Sequence, residues 1–349
     1  MSFKYINNIN KQENKMEKRK FLNLMLAGVI AVMFSFVVEA QIVVSDKLID
    51  TKLSDEGTEI LSISNKNLNG EYKIYGYNDN YEIVTIKDGV KNGVMSIFSY
   101  EDILKVKGYY VNGSADGEWL FYNEKESERL SYSRTYKNGK LSGVSKFYER
   151  RANPVKEETY MDGLLTESHE YFFNGSLKSS SFYKDGLRTG RWEVYHNEDK
   201  VLRSFTNYEL NVKEGEYKVY FNNGKVARSG VFKNNNPIGE WTIYHDNGNV
   251  DCKQVLNKQG DKWDFQTFYE NGKIKDKGVS LNFNLTQYDG KYVEYYDNGK
   301  TKKEENYVNG ERNGKYSLFS ENGKMIEDGM YNKGDRTEYR RYDENGKQL

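Results

Sequence analysis

The sequence predicts an all-β fold of tandem antiparallel hairpins, on three observations. An aromatic residue recurs with a period near 24, Asn-Gly and Asp-Gly dipeptides punctuate the intervals, and the strand-like runs between them alternate in polarity. Anchoring on the last aromatic of each run gives twelve copies: Tyr75, Phe98, Tyr122, Tyr148, Tyr171, Tyr195, Tyr220, Tyr244, Phe268, Tyr295, Phe319 and Tyr342. Their spacings are 23, 24, 26, 23, 24, 25, 24, 24, 27, 24 and 23 residues. A fixed period of this length means a stack of small units, so 349 residues do not divide into two or three globular domains. The expected architecture is an elongated, twisted or curled open sheet. About 24 strands at ~4.8 Å would span on the order of 110 Å if flat, and less if coiled.

The N-terminus is a separate element. Lys18-Arg19-Lys20 precedes Leu24 to Val38, an uncharged and mostly apolar run, and Val38-Glu39-Ala40 places small residues where a signal peptidase reads. The run is short against the ~20 apolar residues of a membrane-spanning helix. Residues 1–40 are therefore read as a Sec-type signal peptide, cleaved to leave Gln41, with a retained anchor as the alternative. Met16 gives a better-proportioned start. No cysteine lies near the cleavage point, which argues against a lipoprotein. Removing this segment leaves 46 of the 52 basic and 49 of the 52 acidic residues, so bulk charge gives no footprint of a nucleic-acid binder.

Residues 41–66 follow as a lead-in or cap, with strand-like Ile42-Val43-Val44 and Ile60-Leu61-Ser62-Ile63. An uncapped sheet end is a template for aggregation.

Residues 67–349 form the array. In the unit from Gly290, Tyr292 to Tyr296 is a short run of strand formers. Asp297-Asn298-Gly299-Lys300 then turns the chain, and Asn-Gly is a strong hairpin signal because both residues tolerate positive φ. The chain returns through Thr301–Tyr307 and turns again at Asn309-Gly310. Nineteen of the 31 glycines directly follow Asn or Asp, so glycine is mostly turn punctuation. With the leading glycine as position zero, position two is usually a large aromatic (Tyr72, Trp119, Trp192, Tyr217, Trp241, Tyr292, Tyr316) and position four is often aliphatic or Phe. Both share one face, while the position-five anchor faces the other way among polar groups. The anchors, such as Tyr195 and Tyr244, are expected to behave as core. The pattern leaves open which row is sheltered. Units four and five depart from it, with Ser145 and Ser168 at position two.

The run Gly-x-Trp-x-x-Tyr, then Asn-Gly-Lys, then Tyr-x-x-Gly-x-x-x-Gly resembles the bacterial variant of the MORN repeat, found in YwqK-type antitoxin family proteins. The resemblance spans essentially residues 67–349. It implies consecutive hairpins used for scaffolding, protein binding or membrane association, and it supplies no catalytic residues.

Chemistry-bearing residues are few. His169, His196 and His245 invite a metal-site reading, but His196 and His245 occupy one slot two repeats apart, about 20 Å along a flat ladder. Gly299-Lys300-Thr301 imitates the end of a phosphate-binding loop, yet Glu294 stands where that loop needs glycine. Glu157-Glu158 and Glu304-Glu305 are neighbours on strands and so face opposite sides. Ser179-Ser180-Ser181 lacks a nucleophile-elbow context, and Cys252, the single cysteine, reads as a small filler. Trp119, Trp192 and Trp241 could stack sugars or peptides; repeat packing already demands them, and that reading is preferred.

The sequence thus points to an exported, non-catalytic scaffold, with no catalytic, metal or cofactor residues assigned and the ligand-binding residues unknown. Its expected partner is a protein or a cell-envelope component, with membrane contact open, in the periplasm, at the cell surface or secreted. An antitoxin or immunity-type protein and a lipid-associated module are the alternatives. Replacing Lys18, Arg19 and Lys20 with acidic residues is expected to hold the precursor in the cytoplasm with residues 1–40 attached. N-terminal sequencing of envelope-fraction protein should find Gln41 first; a start at Met1 or Met16 would overturn cleavage.

Overall fold

A computed structural model of the chain describes residues 41–76, 80–123, 129–150, 153–196 and 200–349. The chain divides into two units, Met1–Gln41 and Ile42–Leu349. The signal-peptide segment lies outside the described residues.

The second unit is all-β. Apart from one 3-10 turn, Asp46–Leu48, every described element is a strand, and 26 of them form one open sheet. Strand Ile42–Ser45 lies parallel on Gly70–Tyr75, and from there each strand pairs antiparallel with the next, ending at Asp335–Arg341. A small sheet of Asp50–Leu53, Glu59–Ile63 and Lys66–Asn67 packs at the first hairpins. Its Leu61, with Leu68, joins Tyr72, Ile74, Val84, Ile86, Met95 and Trp119 in one buried cluster.

The two turns of a repeat differ. Between repeats, Asn309 (φ 50°) and Gly310 (φ 90°) both adopt left-handed conformation, as do Asp88-Gly89 and Asn138-Gly139. These are the primed two-residue turns whose twist matches that of the strands. At the hairpin tip only Gly299 has positive φ (87°), correcting the expectation that Asn298 would share it. There the amide of Gly299 donates to Tyr296 O at 2.9 Å and that of Tyr296 to Lys300 O at 2.8 Å, closing a three-residue loop. Asn298 caps the loop instead, accepting from the Lys300 amide at 2.9 Å.

Most units are also bent twice. The leading glycine, where present, has positive φ (Gly117, 73°; Gly239, 64°; Gly290, 73°) and in these three sits where the register with the preceding strand shifts. One residue of the return strand is then skipped opposite the anchor, as between Ile97 and Phe98, Val194 and Tyr195, or Glu294 and Tyr295. Bulges of this kind strengthen right-handed twist.

The twist determines which face is sheltered. A single register line crosses the sheet through Tyr217, Gly230, Trp241, Gln254, Phe265, Gly278, Tyr292, Glu305, Tyr316 and Gly329. (Gly230 and Trp241, Gly278 and Tyr292, and Glu305 and Tyr316 adjoin across irregularities in the register.) Position two is thus the core: Trp241 is 1% exposed, Gln254 2% and Tyr316 3%. The anchors are only half-buried, Tyr195 and Tyr244 included, so the expectation that they form the core is corrected. A side chain added at Gly108 or Gly230 would overlap the indole of Trp119 or Trp241, so the return-strand glycine is the seat of the next ring. Tyrosines of the flanking return strands close on each ring edge-on. Tyr110 and Tyr136 meet Trp119 at 5.1 and 5.8 Å between centroids, and Tyr183 and Tyr208 meet Trp192 at 5.2 and 5.3 Å.

The long interval before Tyr295 is absorbed between Ile274–Ser280 and Tyr288–Tyr295. There Phe283 reaches back to Trp241 and Trp263, with centroids 4.9 and 5.0 Å away.

Gly230→Ala is expected to cost about 1–3 kcal/mol by overpacking against Trp241. Gly278→Ala should cost less, because its new methyl would stand 3.3 Å from the Phe265 ring. Opening free energies from native-state hydrogen exchange check the order, and equal costs would show that the indole is not seated on Gly230.

Candidate functional site

The histidines serve the stack. His196 bonds Tyr220 O at 2.9 Å and His245 bonds Phe268 O at 3.1 Å through Nε2, one repeat onward in each case. Tyr269 and Tyr296 fill the same slot and donate to Tyr295 O and Phe319 O, both at 2.8 Å. Each histidine Nε2 therefore carries the proton and acts as a repeat-to-repeat donor. His169 lies on the anchor face, 2.7 Å from Glu167. No group of three or more His, Cys, Asp or Glu converges among the described residues.

Gly-Lys is a turn clamp, since Lys225 and Lys300 each donate to a carbonyl of the next tip, Asn247 O and Asn322 O, at 2.8 Å. Glu157 and Glu158 do face apart. Glu157 accepts from Tyr171 at 2.8 Å, whereas Glu158 accepts from Tyr160 at 2.7 Å and pairs with Lys156. Glu305 repeats the arrangement with Tyr307, Lys303 and Arg312. Burial pushes the Cys252 thiol up to about 11, with Asp251 and Asp276 adding to the effect, so it stays protonated at neutral pH.

What remains is the place where the repeat rule breaks. The tips of units three to five enclose a pocket of about 490 Å³, walled by Tyr148, Pro154, Val155, Phe172 and Phe173 with Arg129 and Arg150 among its lining. A second depression of about 360 Å³ shares Val155, Phe172 and Phe173 and adds Lys156, Glu170 and Lys178. Phe173 is 60% exposed. Its slot in the tip holds Asn222, Asp246, Glu270, Asp297 or Glu321 in later units, whereas the first two units carry Tyr77 and Tyr100 there, so a Phe without a hydroxyl departs from the polar chemistry of the slot. The sequence reading passed over Phe173; the signal was an aromatic without a polar group at a turn position. The arrangement offers an apolar recess with guanidinium groups beside it. It suits capture of a partner's side chain rather than bond-breaking.

Lys156 is steadied from behind by Glu158. Burial pushes the Glu158 carboxyl up, but the Lys156 ammonium and the Tyr160 hydroxyl, with Arg134 nearby, outweigh it and hold it below its ordinary value. Its contribution to stability is therefore present above the unfolded carboxylate pKa and lost as pH falls through the folded value. Urea unfolding of wild type and Glu158→Gln between about pH 3 and 6 should converge at the acid end. A constant difference would remove the linkage.

The model of the MORN repeat variant matches residues 213–234, 264–281, 288–309 and 312–333, in phase with the hairpins described above. No curated protein matches the chain. Among solved structures, a Tc holotoxin pore of Photorhabdus luminescens aligns at 12% identity over 86% of this chain and 18% of that one, with a TM-score of 0.17. A TcdB2-TccC3-Cdc42 structure aligns at 11% identity over 86% and 18%, with a TM-score of 0.16. The chain thus spans under a fifth of those proteins, and similarity at this level carries no argument about fold or activity. The family match is a different matter: four of the units, within residues 213–333, match the MORN repeat variant.

Proposed function

We propose that the protein is an exported, non-catalytic repeat scaffold that binds a protein or another component of the cell envelope, with the recess of units three to five as a point of contact. The observation behind this reading is Phe173, set 60% exposed beside Phe172 and Pro154 in a recess, at a tip slot that later units fill with Asn, Asp or Glu. Exposed aromatics in a recess are the usual anchors of protein recognition. The position-two tryptophans are unsuited to the task, since Trp119 and Trp241 are 7% and 1% exposed and already enclosed by rings. The export part rests on Lys18-Arg19-Lys20 and the apolar run after it.

The test is a pull-down from the native envelope fraction with the mature chain and a Phe173→Asn variant. Asn is what unit seven carries at that slot, so the variant should fold as wild type does. A recess contact predicts that capture of the retained partner falls by about tenfold or more, the loss typical of an aromatic anchor. Undiminished capture would move the contact elsewhere on the array.

A further inference from the structure

The hydrophobic core is not continuous. Among the described residues between Trp119 and Phe205, no hydrophobic side chain is fully buried; the buried positions there are Ser133, Ser145, Glu158, Ser168, Ser176 and Ser180. On the sheltered face the ring contacts run to Phe147 and resume at Tyr183 with Trp192. Strands Gly143–Tyr148 and Leu164–Tyr171 contribute Ser145 and Ser168 where other units place a large aromatic, and Glu158 stands opposite Ser145 in a slot that is small or polar elsewhere, as at Gly230, Gln254 and Glu305. Tyr160 stands where a flanking tyrosine closes on a position-two ring but finds Ser145 and Ser168 there; its hydroxyl donates to Glu158, as that of Tyr307 does to Glu305. The substitution is not fully compensated, because Ser145 Oγ is buried without a hydrogen-bond partner.

We infer that the two serine units, around Ser145 and Ser168, form a joint dividing the array into two cooperative blocks, one built on the Tyr72–Trp119 core and the other on the core from Trp241 to Tyr316. In a one-dimensional stack each repeat is stabilised only by its neighbours, so cooperativity is transmitted as strongly as the weakest successive interfaces allow. A buried serine presents little apolar surface to the adjoining strand, and two serine units in succession leave backbone hydrogen bonds and ion pairs to couple the sides. The backbone ladder itself is unbroken here, so the joint opens locally without parting the sheet.

Hydrogen exchange of the full chain in increasing urea, read by mass spectrometry of its peptides, tests the division. Peptides of residues 70–119 and 205–331 should lose protection at separate midpoints, with those of 130–200 the least protected. Trp241→Ser should lower protection at least about tenfold in its own block and change residues 70–119 by less than about twofold; Trp119→Ser should do the reverse. A single midpoint across the wild-type chain, or either variant loosening both blocks alike, would overturn the joint. Loss of structure confined to the substituted block would support it, so a variant that unfolds in part remains informative.

Discussion

The edge-on closure of return-strand aromatics on the position-two ring, seated over glycine in the stacks of Trp119 and Trp241, is the contact on which the fold depends. From the third hairpin onward, the described elements are the ladder's own strands and turns, so burial must come from within one sheet. A ring 5 to 6 Å from its neighbours at steep interplanar angles places positive edges toward negative faces and excludes water from both. It also accounts for the composition. Thirty tyrosines supply apolar bodies whose hydroxyls reach carboxylates, as Tyr160 and Tyr307 do, so partial burial leaves few polar groups stranded.

The edges of the sheet hold the rings in phase. On one edge the primed turns link successive repeats through their glycine amides, Gly139 to Ala115 O and Gly310 to Tyr288 O at 2.8 and 2.9 Å. On the other, Asn298, Lys300 and Tyr296 each reach a carbonyl one repeat onward. Both rails use backbone acceptors that recur whatever the side chains are. This explains why the donor slot accepts His245 in one unit and Tyr269 in the next.

The sequence was most legible where period and conformation coincide. Position-two aromatics and the recurring Asn-Gly and Asp-Gly dipeptides predicted the strands and turns, whereas the left-handed leading glycine at the bulge was read only as part of a turn spacing. Parity along a strand separates the faces but carries no sign of curvature, so the anchors were expected to be core; bulges opposite those anchors coil the sheet toward position two instead. Asn298-Gly299 and Asn309-Gly310 read alike, yet a loop of three residues needs one left-handed position and a loop of two needs both. The histidines were legible as surface residues but not as donors, because the acceptor is a main-chain carbonyl that no side-chain pattern announces. Phe173 escaped because an aromatic-rich sequence makes one more aromatic inconspicuous until its slot is compared across units.

In a repeat protein the regular positions are committed to stacking, so information about a partner has to reside in departures that stacking does not use. Two aromatic departures illustrate the distinction. Phe283 stands in an enlarged connection and packs between Trp241 and Trp263, beside the strand Val250–Leu256, which carries no aromatic. Its apolar surface is consumed by the fold. Phe173 lies in a tip of ordinary length, follows Phe172 directly and keeps 60% of its surface in solvent. A side chain of that size exposed beside the polar joint does little for a core that has no rings within reach of Ser145 and Ser168.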